Sequence, residues 1–303
     1  MKLLLTGSKG QLGHELENLL GAGHSFYGSV PEVFHNAEVY KTDLPELDLS
    51  SLQDTENYIK TIHPDLIINC AAYTNVDGCE INQSTAYQAN TVSPGNLAIC
   101  AESINAKLIH ISTDYVFDGL YNGNIPRTET DTPNPISAYG ITKLAGENYV
   151  KQYCTKHFII RTAWLYSPYG KNFVKTIYNA GKKYGKLEVV NDQLGNPTYA
   201  ADLAYMILKL ASTDSYGLYH CTGKGVCSWF DFACRIIEYG HVNAEVIPCS
   251  TEEYKTKHPD SADRPKWSAL DNTKLETNTG IGMRPWENAL QDYFEKAEKY
   301  GTV

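Results

Sequence analysis

The first twenty residues constrain the fold of this 303-residue chain more than any other segment. A leucine run at residues 3–5 leads into a turn with glycines at Gly7, Gly10 and Gly13, and leucines then recur with helical spacing up to Leu20. A strand, a glycine-rich turn and a helix in this order indicate a dinucleotide-binding motif at the start of a parallel sheet.

The three glycines of this turn have different predicted tasks. Gly7 permits the tight turn, Gly10 lets the backbone approach a pyrophosphate, and Gly13 allows the helix to pack closely on the strand. The pyrophosphate would rest on the amides at the positive end of the helix. The spacing is G-x-x-G-x-x-G rather than G-x-G-x-x-G. The alternative is a glycine turn without a ligand, but its place directly after an N-terminal strand favours the dinucleotide.

Strand and helix patterns alternate through the first half of the chain, which predicts an α/β fold with a doubly wound parallel sheet of the Rossmann type. Continuous apolar runs, typical of buried strands, lie at residues 66–72, 107–112 and 158–162. Helical patterns lie between these runs at residues 84–101 and 137–153. The first half therefore predicts a sheet that is covered by helices on both faces.

Beyond residue 161 the alternation loosens, and we expect a smaller C-terminal substrate-binding domain that is interleaved with the first. The predicted dinucleotide-binding domain covers residues 1–162, and a segment at about 199–225 returns to it. Residues 163–198 and 226–303 form the predicted substrate-binding domain. The chain has no internal repeat and no low-complexity linker, which favours interleaving over two domains in series.

Tyr139 and Lys143 lie four residues apart in a helical pattern, which places both side chains on one face of the helix. A cation near a phenol favours the phenolate, so we expect the pKa of Tyr139 to fall towards neutrality. Such a tyrosine exchanges a proton with a carbonyl or alcohol oxygen, and the Thr113 hydroxyl could hold the same oxygen. Taken alone, the pair could equally be a solvated helix pair. The glycine turn and Ser112-Thr113-Asp114 upstream of the pair favour an active site.

The composition excludes several classes of protein. A net charge of −9 argues against nucleic acid and against an acidic membrane surface as partners. No apolar run reaches bilayer length, and the start of the chain is too short for a signal peptide. The eight cysteines form no C-x-x-C pair, which suits buried free thiols and a cytoplasmic location. The nine histidines show no paired ligand spacing, so we expect no metal site.

Several motifs together resemble those of the extended short-chain dehydrogenase/reductases. They are the glycine turn, Asn-Cys-Ala-Ala at a strand end, Ser-Thr-Asp and Tyr-x-x-x-Lys. Within that group, five segments look like the dTDP-4-dehydrorhamnose reductase family and follow its order. These segments are residues 71–77, 112–118, 139–147, 161–166 and 191–198. The resemblance spans essentially the whole chain and implies NADPH or NADH as cofactor and a dTDP-4-keto-6-deoxy sugar as substrate.

The resemblance implies a role for each matched residue. Tyr139 would donate the proton to the sugar C4 oxygen, Lys143 would lower its pKa and bind the nicotinamide ribose, and Thr113 would hold the carbonyl oxygen. The implied cofactor-binding residues are Gly7, Gly10, Gln11, Leu12, Gly13, Asp43, Asp48, Leu49, Ala71, Ala72, Tyr73 and Thr74, together with Tyr139 and Lys143. The implied substrate-binding residues are Val76, Thr113, Asp114, Trp164 and Arg264, of which the arginine would bind the diphosphate.

The position of the second strand stays open at the level of the sequence. It could lie at residues 24–29 or at residues 39–42, so the residue that meets the adenine ribose is either Ser29 or Asp43. An acid at this position favours NADH, whereas a serine tolerates NADPH.

Other assignments also have structural alternatives. Asp48 could cap a helix, Trp164 could belong to the core, and Arg264 could lie in a surface turn. Some members of the family dimerise around Mg²⁺ through surface glutamates that have no identifiable counterpart here. We therefore predict no metal and leave the oligomeric state, a homodimer included, open.

The implied reaction is hydride transfer to the C4 ketone of dTDP-4-dehydro-β-L-rhamnose, which gives dTDP-L-rhamnose for polysaccharide synthesis. A nucleotide-sugar 4,6-dehydratase would carry a glutamate after Asp114, where this chain has Tyr115. A 4-epimerase would use the same three catalytic residues with retained NAD. The intact Thr113, Tyr139 and Lys143 argue against a non-catalytic module that resembles the β subunit of methionine adenosyltransferase.

Overall fold

The computed structural model describes residues 1–120 and 123–300, with side chains described as far as residue 297. The strands are β1 (Lys2–Thr6), β2 (His24–Ser25), β3 (Gly28–Ser29), β4 (Glu38–Thr42), β5 (Leu66–Asn69), β6 (Lys107–Thr113), β7 (His157–Thr162), β8 (Leu165–Tyr166), β9 (Lys186–Val190), β10 (Leu194–Gly195), β11 (Thr198–Tyr199), β12 (Gly217–His220), β13 (Cys227–Ser228) and β14 (Glu245–Cys249). The helices are α1 (Gln11–Ala22), α2 (Leu52–Ile62), α3 (Val76–Ile81), α4 (Gln83–Tyr87), α5 (Ser93–Ser103), α6 (Ala138–Tyr153), α7 (Phe173–Tyr184), α8 (Ala200–Ala211), α9 (Trp229–Tyr239), α10 (Thr251–Lys257), α11 (Thr273–Thr279) and α12 (Trp286–Tyr300).

A six-stranded parallel sheet in the order β12-β7-β6-β5-β1-β4 forms the centre of the molecule. The strand order reverses beside β1, which pairs with β4 on one side and with β5 on the other. In open α/β sheets, such a reversal opens a crevice at the carboxyl ends of the strands. The sheet confirms the predicted doubly wound α/β fold.

Alternate residues of β1 face opposite layers of helices, as the period of a strand requires. Leu3 and Leu5 pack in one core together with Leu16 of α1 and residues of α8. Leu4 packs in a second core with Ile59 of α2 and with residues of α5 and α6. Since β1 is buried on both faces, its continuous leucine run suits a central strand of a parallel sheet.

After β1, the next strand of the central sheet along the chain is β4. The structure therefore selects residues 39–42 over residues 24–29 as the second strand. Lys2 lies opposite Glu38 and Thr6 opposite Thr42 in the parallel register with β1. The other candidate, residues 24–29, forms the short antiparallel hairpin β2–β3, in which Gly28 has a φ of 111°. This hairpin is too short and too exposed to replace a buried strand.

The helical pattern predicted at residues 84–101 is divided in the structure. The end of α4 continues into a π-helical turn at Gln88–Val92, and α5 follows with Pro94 in its first turn. π-turns inside helices are often found at functional sites. Here the turn carries Asn90, whose side chain bonds the Tyr73 backbone in both directions, at 2.9 and 3.1 Å.

A further core lies outside the central sheet and is rich in aromatic residues. It is formed by residues of α7, α9 and α12 around Tyr166 and Phe232. The small parallel pair β9–β14 packs beside it. Between these parts of the chain, α8 and β12 return to the central sheet, with α8 packed on α1. No helix among the described residues is long and apolar enough to cross a membrane.

Candidate active site

The glycine turn is packed so tightly that side chains at two of its positions would collide with the backbone. A Cβ at Gly7, where φ is 66°, would lie 2.5 Å from the Ala71 nitrogen, and one at Gly13 would lie 2.5 Å from the Gly7 oxygen. Helix α1 begins at Gln11, and no side chain caps its N-terminal amides. The turn therefore presents free amides to the crevice at the end of β1, where an anion can bind.

A cleft of about 640 Å³ opens at this turn, and we call it the glycine cleft. Eight of the predicted cofactor-binding residues line it: Gly7, Gly10, Asp43, Asp48, Leu49, Ala71, Ala72 and Tyr73. Four others, Gln11, Leu12, Gly13 and Thr74, are not among its lining residues. Of these, Leu12 points into the core and Gly13 packs against the turn, so only their backbones are placed to meet a ligand.

Asp43 follows β4 directly and lies at the edge of the glycine cleft. Its carboxylate accepts hydrogen bonds from the amides of Lys9 and Leu44, at 3.0 and 2.9 Å. Ser29, the other candidate for the residue that meets the adenine ribose, lies in the exposed β2–β3 hairpin and does not line the cleft. The acidic residue therefore occupies the position after the second strand of the sheet.

Asp48 is not the cap of the following helix. Ser51 is the N-cap of α2 and accepts a hydrogen bond from the Asp54 amide at 3.3 Å. Asp48 instead holds a local turn, because one of its carboxylate oxygens accepts from both the amide and the hydroxyl of Ser50. It lies with Leu49 on the wall of the glycine cleft.

A second cavity, of about 440 Å³, lies against the aromatic core, and we call it the tryptophan pocket. It is lined by Tyr115, Phe173, Thr176, Ile177, Glu188, Val189, Val190, Gln193, Trp229, Thr251, Tyr254, Lys255, Ser261, Ala262 and Arg264. Aromatic and aliphatic side chains make up much of this wall, and a few polar groups accompany them, as is usual for small-molecule sites.

Tyr139 lies between the two cavities. It belongs to a small apolar cluster against which Tyr73 packs, and Tyr73 lines the glycine cleft. Tyr139 also meets the ring of Tyr115, which lines the tryptophan pocket, edge-on at 5.5 Å between centroids. The next residue, Gly140, allows this approach, because a Cβ there would lie 2.1 Å from the Tyr115 carbonyl oxygen. Tyr139 itself lines neither cavity, but its neighbours Tyr73 and Tyr115 each line one of them.

Burial, not the neighbouring cation, dominates the ionisation of Tyr139. Burial raises the pKa of Tyr139, and its hydrogen bond with Thr113 opposes the rise only in part. The prediction that Lys143 would bring this pKa towards neutrality is wrong for the protein alone. Lys143 is itself buried and donates to the Ile111 carbonyl at 2.6 Å, and burial lowers the pKa of Lys143 to about 8. Tyr139 is therefore protonated at neutral pH.

Thr113 and Asp114 lie where β6 ends in a short 3₁₀ turn. The Thr113 hydroxyl accepts from the Tyr115 amide at 3.2 Å and donates to the Asp114 carboxylate at 3.0 Å. Burial raises the pKa of Asp114 to about 6, and hydrogen bonds from Ser268 and Thr113 oppose the rise. The end of β6 therefore places a hydroxyl and a buried carboxyl beside Tyr139.

A buried ion pair lies one helical turn beyond Lys143. Glu147 of α6 accepts from Arg161 Nε and Nη2 at 2.8 and 2.7 Å, and from the Ser112 hydroxyl at 2.6 Å. Both side chains are at most 1% exposed. Burial alone would raise the pKa of Glu147, but the bonds from Arg161 lower it. The Glu147 carboxylate in turn opposes the fall in the pKa of Lys143.

The two predicted substrate residues Val76 and Trp164 are not among the residues that line the tryptophan pocket. Val76 packs beside Tyr139, and Trp164 stacks on Trp229 with ring centroids 3.5 Å apart. Trp164 has a φ of 48°, which is rare for a bulky residue. Gly195 makes room for its indole, since a Cβ there would lie 2.7 Å from the ring. Trp164 therefore reaches the pocket through Trp229.

Arg264 lines the tryptophan pocket and is not merely part of a surface turn. Its Nη2 donates to both carboxylate oxygens of Asp77, at 3.1 and 3.2 Å. Its Nε is buried and has no acceptor among the described residues. A cationic side chain with donors to spare thus forms part of the pocket wall.

The sequence did not identify several groups at this site. Trp229 and Phe173 belong to no sequence motif. The one local signal is Asn172, which caps α7 directly before Phe173. No local pattern indicates a role for Asp77, because its partner Arg264 is 187 residues away. Among residues 1–120 and 123–300, no group of three or more His, Cys, Asp and Glu side chains is arranged to hold a metal.

Comparison with known proteins gives a consistent result over the whole chain. A family model described as RmlD substrate binding domain matches residues 1–299. The chain is 37% identical over 305 residues to the dTDP-4-dehydrorhamnose reductase of Aggregatibacter actinomycetemcomitans, which covers 98% of this chain and 99% of that protein.

Two solved structures are similar to the chain over nearly their full length. One is a dTDP-4-dehydrorhamnose reductase of Clostridium acetobutylicum, with 44% identity, a TM-score of 0.90, and coverage of 98% of this chain and 100% of that one. The other is the dTDP-4-dehydrorhamnose reductase of Bacillus anthracis in complex with NADP, with 39% identity, a TM-score of 0.89, and coverage of 97% and 99%.

Proposed function

The chain belongs to the RmlD substrate-binding-domain family, and from this membership we propose that it is a dTDP-4-dehydrorhamnose reductase dependent on NADPH or NADH. It reduces the C4 ketone of dTDP-4-dehydro-β-L-rhamnose and yields dTDP-L-rhamnose for polysaccharide synthesis. Membership confirms the resemblance found in the five sequence segments. The observation that carries the reaction is the position of Tyr139 between the glycine cleft and the tryptophan pocket.

The residues of the glycine cleft fit a dinucleotide. Gly7 and Gly10 keep the turn free of side chains, and the uncapped amides of α1 suit a pyrophosphate. Asp43 would meet the adenine ribose, and Asp48 and Leu49, which line the same cleft, would meet the adenine. The relative from Bacillus anthracis was solved with NADP. When bound, the dihydronicotinamide supplies the hydride for the C4 ketone.

Tyr139 supplies the proton that completes the reduction. As hydride reaches C4, negative charge develops on the carbonyl oxygen, and the phenol donates its proton to that oxygen. Because burial raises the pKa of Tyr139, the phenol is fully protonated before the reaction. The Thr113 hydroxyl, next to Tyr139, would turn its proton from Asp114 to the same oxygen and stabilise its charge.

Lys143 and Asp114 support this centre from two sides. Lys143 lies one helical turn from Tyr139, and its ammonium stabilises the phenolate that remains after proton transfer. It would also hold the ribose next to the nicotinamide, as the family resemblance implies. Asp114, buried beside Thr113, accepts a hydrogen bond from a sugar hydroxyl and orients the ring.

The tryptophan pocket takes the nucleotide part of the substrate. Arg264 offers the cation for the diphosphate, and the stacked Trp229 and Trp164 offer a flat apolar wall. A dTDP sugar extending from this pocket to Tyr139 would bring its C4 towards the glycine cleft. Tyr115, in contact with Tyr139, lies on this path.

The rival functions are less well supported. A 4,6-dehydratase needs an acid where this chain has Tyr115, whose ring packs against Tyr139 instead. The curated relatives at 34–37% identity include many named dTDP-4-dehydrorhamnose reductase. A non-catalytic module has no need of a complete Thr113, Tyr139 and Lys143 set.

The location, the partners, the domain division and the oligomeric state of the protein are further proposals. We place it in the cytoplasm because its cysteines are free, most of them buried, among the described residues. Its negative charge disfavours nucleic acid and acidic membranes as partners. The division into two interleaved domains and a homodimer are further predictions, which limited proteolysis and sedimentation would test.

The direct test is oxidation of NADPH and NADH, followed by absorbance, with a panel of nucleotide 4-keto sugars. We expect turnover with dTDP-4-dehydro-β-L-rhamnose and formation of dTDP-L-rhamnose. Cofactor binding without turnover of any sugar would favour the non-catalytic module. NAD that stays bound through gel filtration, with interconversion of sugar epimers, would favour the epimerase.

A further inference from the structure

Asp77 has a position that the proposed reaction does not yet explain. It lies in the first turn of α3, four residues after Tyr73, and its partner Arg264 belongs to the segment that follows α10. We propose that Asp77 is a positioning residue that holds the Arg264 guanidinium in the tryptophan pocket for the substrate diphosphate. This inference rests on the proposed function, because that function supplies the diphosphate.

The segment that carries Asp77 is firmly held. Asn75 caps α3 by accepting from the Gly78 amide at 3.0 Å. Upstream, Asn90 bonds both the amide and the carbonyl of Tyr73. The Tyr73 hydroxyl lies so close to Gly78 that a Cβ there would approach it to 2.5 Å. Asp77 is therefore presented by a backbone that is fixed on both sides.

The segment that carries Arg264 depends on this anchor. Residues 258–266 contain no helix or strand, and they join α10 to the part of the chain that pairs with β10. Asp77 accepts from the Ala262 amide at 2.9 Å as well as from Arg264. One carboxylate thus fixes both the backbone and the charged side chain of this segment at the pocket wall.

The geometry of the pair leaves Arg264 able to bind a second anion. Only Nη2 is bonded to Asp77, and Nη1 makes no hydrogen bond within the described residues, whereas Nε is buried without an acceptor. A guanidinium has five N–H donors in a fixed plane, so an anchor at one nitrogen determines where the others point. Asp77 therefore orients the free edge of the guanidinium and does not consume it.

A role in stability alone explains the pair poorly. The Arg264 and Asp77 side chains are 30% and 47% exposed. Ion pairs at such sites add little to stability, because water screens the charges and two flexible side chains must be ordered. An arginine that is held in advance, however, binds a diphosphate without the loss of conformational freedom at that moment.

The test is a double-mutant cycle on dTDP affinity, measured by titration calorimetry with the full chain. We expect Asp77→Ala and Asp77→Asn to weaken dTDP about tenfold, as for loss of a partner of a charged group in a binding site. Thymidine, which lacks the diphosphate, should bind all variants equally. Asp260→Asn removes the same charge from an exposed position of the same segment and should behave as wild type.

The second arm replaces Arg264. Arg264→Ala should weaken dTDP at least as much as Asp77→Ala, and the double variant should be no weaker than Arg264→Ala alone, because both changes remove one interaction. In turnover assays Asp77→Asn should raise KM for the sugar nucleotide about tenfold with kcat nearly unchanged. Asp77→Glu should restore part of the affinity.

The outcomes separate this inference from the proposed function. Additive losses in the cycle, wild-type dTDP affinity in Asp77→Ala, or an equal loss for thymidine would overturn the role of Asp77. If wild-type protein reduces no keto sugar while the cycle still shows coupling for dTDP, the reaction is wrong and the positioning role stands.

Discussion

Two of the arginine–carboxylate pairs in the structure, one within the core beneath Lys143 and one at the tryptophan pocket, differ in nearly every physical respect. Glu147 and Arg161 are at most 1% exposed and share two parallel hydrogen bonds. Asp77 and Arg264 are 47% and 30% exposed and meet through a single guanidinium nitrogen. The first pair is closed to ligands, and the second leaves donors at the wall of a pocket.

The extent of burial decides whether each pair acts on stability or on a ligand. Burying two charges costs desolvation, so the inner pair is tolerated only because Arg161 and Ser112 satisfy the Glu147 carboxylate almost completely. It fixes the electrostatic field beneath Lys143 and holds α6 against β7. The outer pair contributes little to stability, and its effect is on a ligand. The predictions below test this division between an inner structural pair and an outer binding pair.

The largest effect is expected from breaking the inner pair. Glu147→Gln should lower the free energy of unfolding by about 3–5 kcal/mol, because Arg161 is left as an uncompensated buried charge. Chemical denaturation measures this directly. The double variant Glu147→Leu/Arg161→Met should recover much of the loss. A single variant as stable as wild type would mean that the inner pair is not structural.

The two pairs should also differ in their effect on the pH dependence of turnover. Burial lowers the pKa of Lys143 to about 8, so its ammonium is present below that pH and is lost above it. We expect kcat to fall about tenfold per pH unit at higher pH, as the cation that stabilises the phenolate disappears. The Glu147 carboxylate raises the pKa of Lys143, so Glu147→Gln should move this fall to lower pH. Asp77→Asn should leave it in place, and a shift there would contradict the division.

A third carboxylate, that of Asp43, lies at the glycine cleft. Like Asp77, it is only partly buried and faces a ligand site. Asp43→Asn removes a charge that would repel the 2′-phosphate of NADPH, so the ratio of kcat/KM for NADPH over NADH should rise about tenfold. Steady-state assays with both cofactors measure this ratio, with Asp48→Asn as a comparison variant. An unchanged ratio would remove Asp43 from the ribose site.

The smallest effect is expected on the stability of the outer pair. Asp77→Asn should change the free energy of unfolding by less than about 1 kcal/mol, since partly exposed pairs contribute little. Denaturation midpoints of Asp77→Asn and Asp260→Asn should be close to that of wild type. A loss as large as that of Glu147→Gln would make the outer pair structural and erase the contrast.

Local sequence patterns predicted the central sheet, because its inner strands are buried on both faces. The strands Leu66–Asn69 and Lys107–Thr113 are rich in leucine and isoleucine and almost fully buried, and the glycine turn admits few alternatives. The choice of second strand could not be made from residues 24–42 alone. It depends on pairing with β1, which no local pattern contains.

The site was predicted less completely, for physical reasons. The spacing of Tyr139 and Lys143 gave their common face but not their burial, and burial reversed the expected direction of the Tyr139 pKa. The contact of Asp77 with Arg264 joins parts of the chain 187 residues apart. Trp229 reaches the pocket only through the packing of the aromatic core. Contacts of this kind follow from the tertiary fold.

Tyr139 delivers the proton in the proposed reaction from its place between the residues of the two cavities. The most direct measurement is kcat of Tyr139→Phe with saturating dTDP-4-dehydro-β-L-rhamnose and NADPH, alongside NADPH affinity by fluorescence. We expect kcat to fall by about a hundredfold or more, the usual scale for loss of an acid–base group, while NADPH binds nearly as in wild type. Near-normal turnover in this variant would contradict the account.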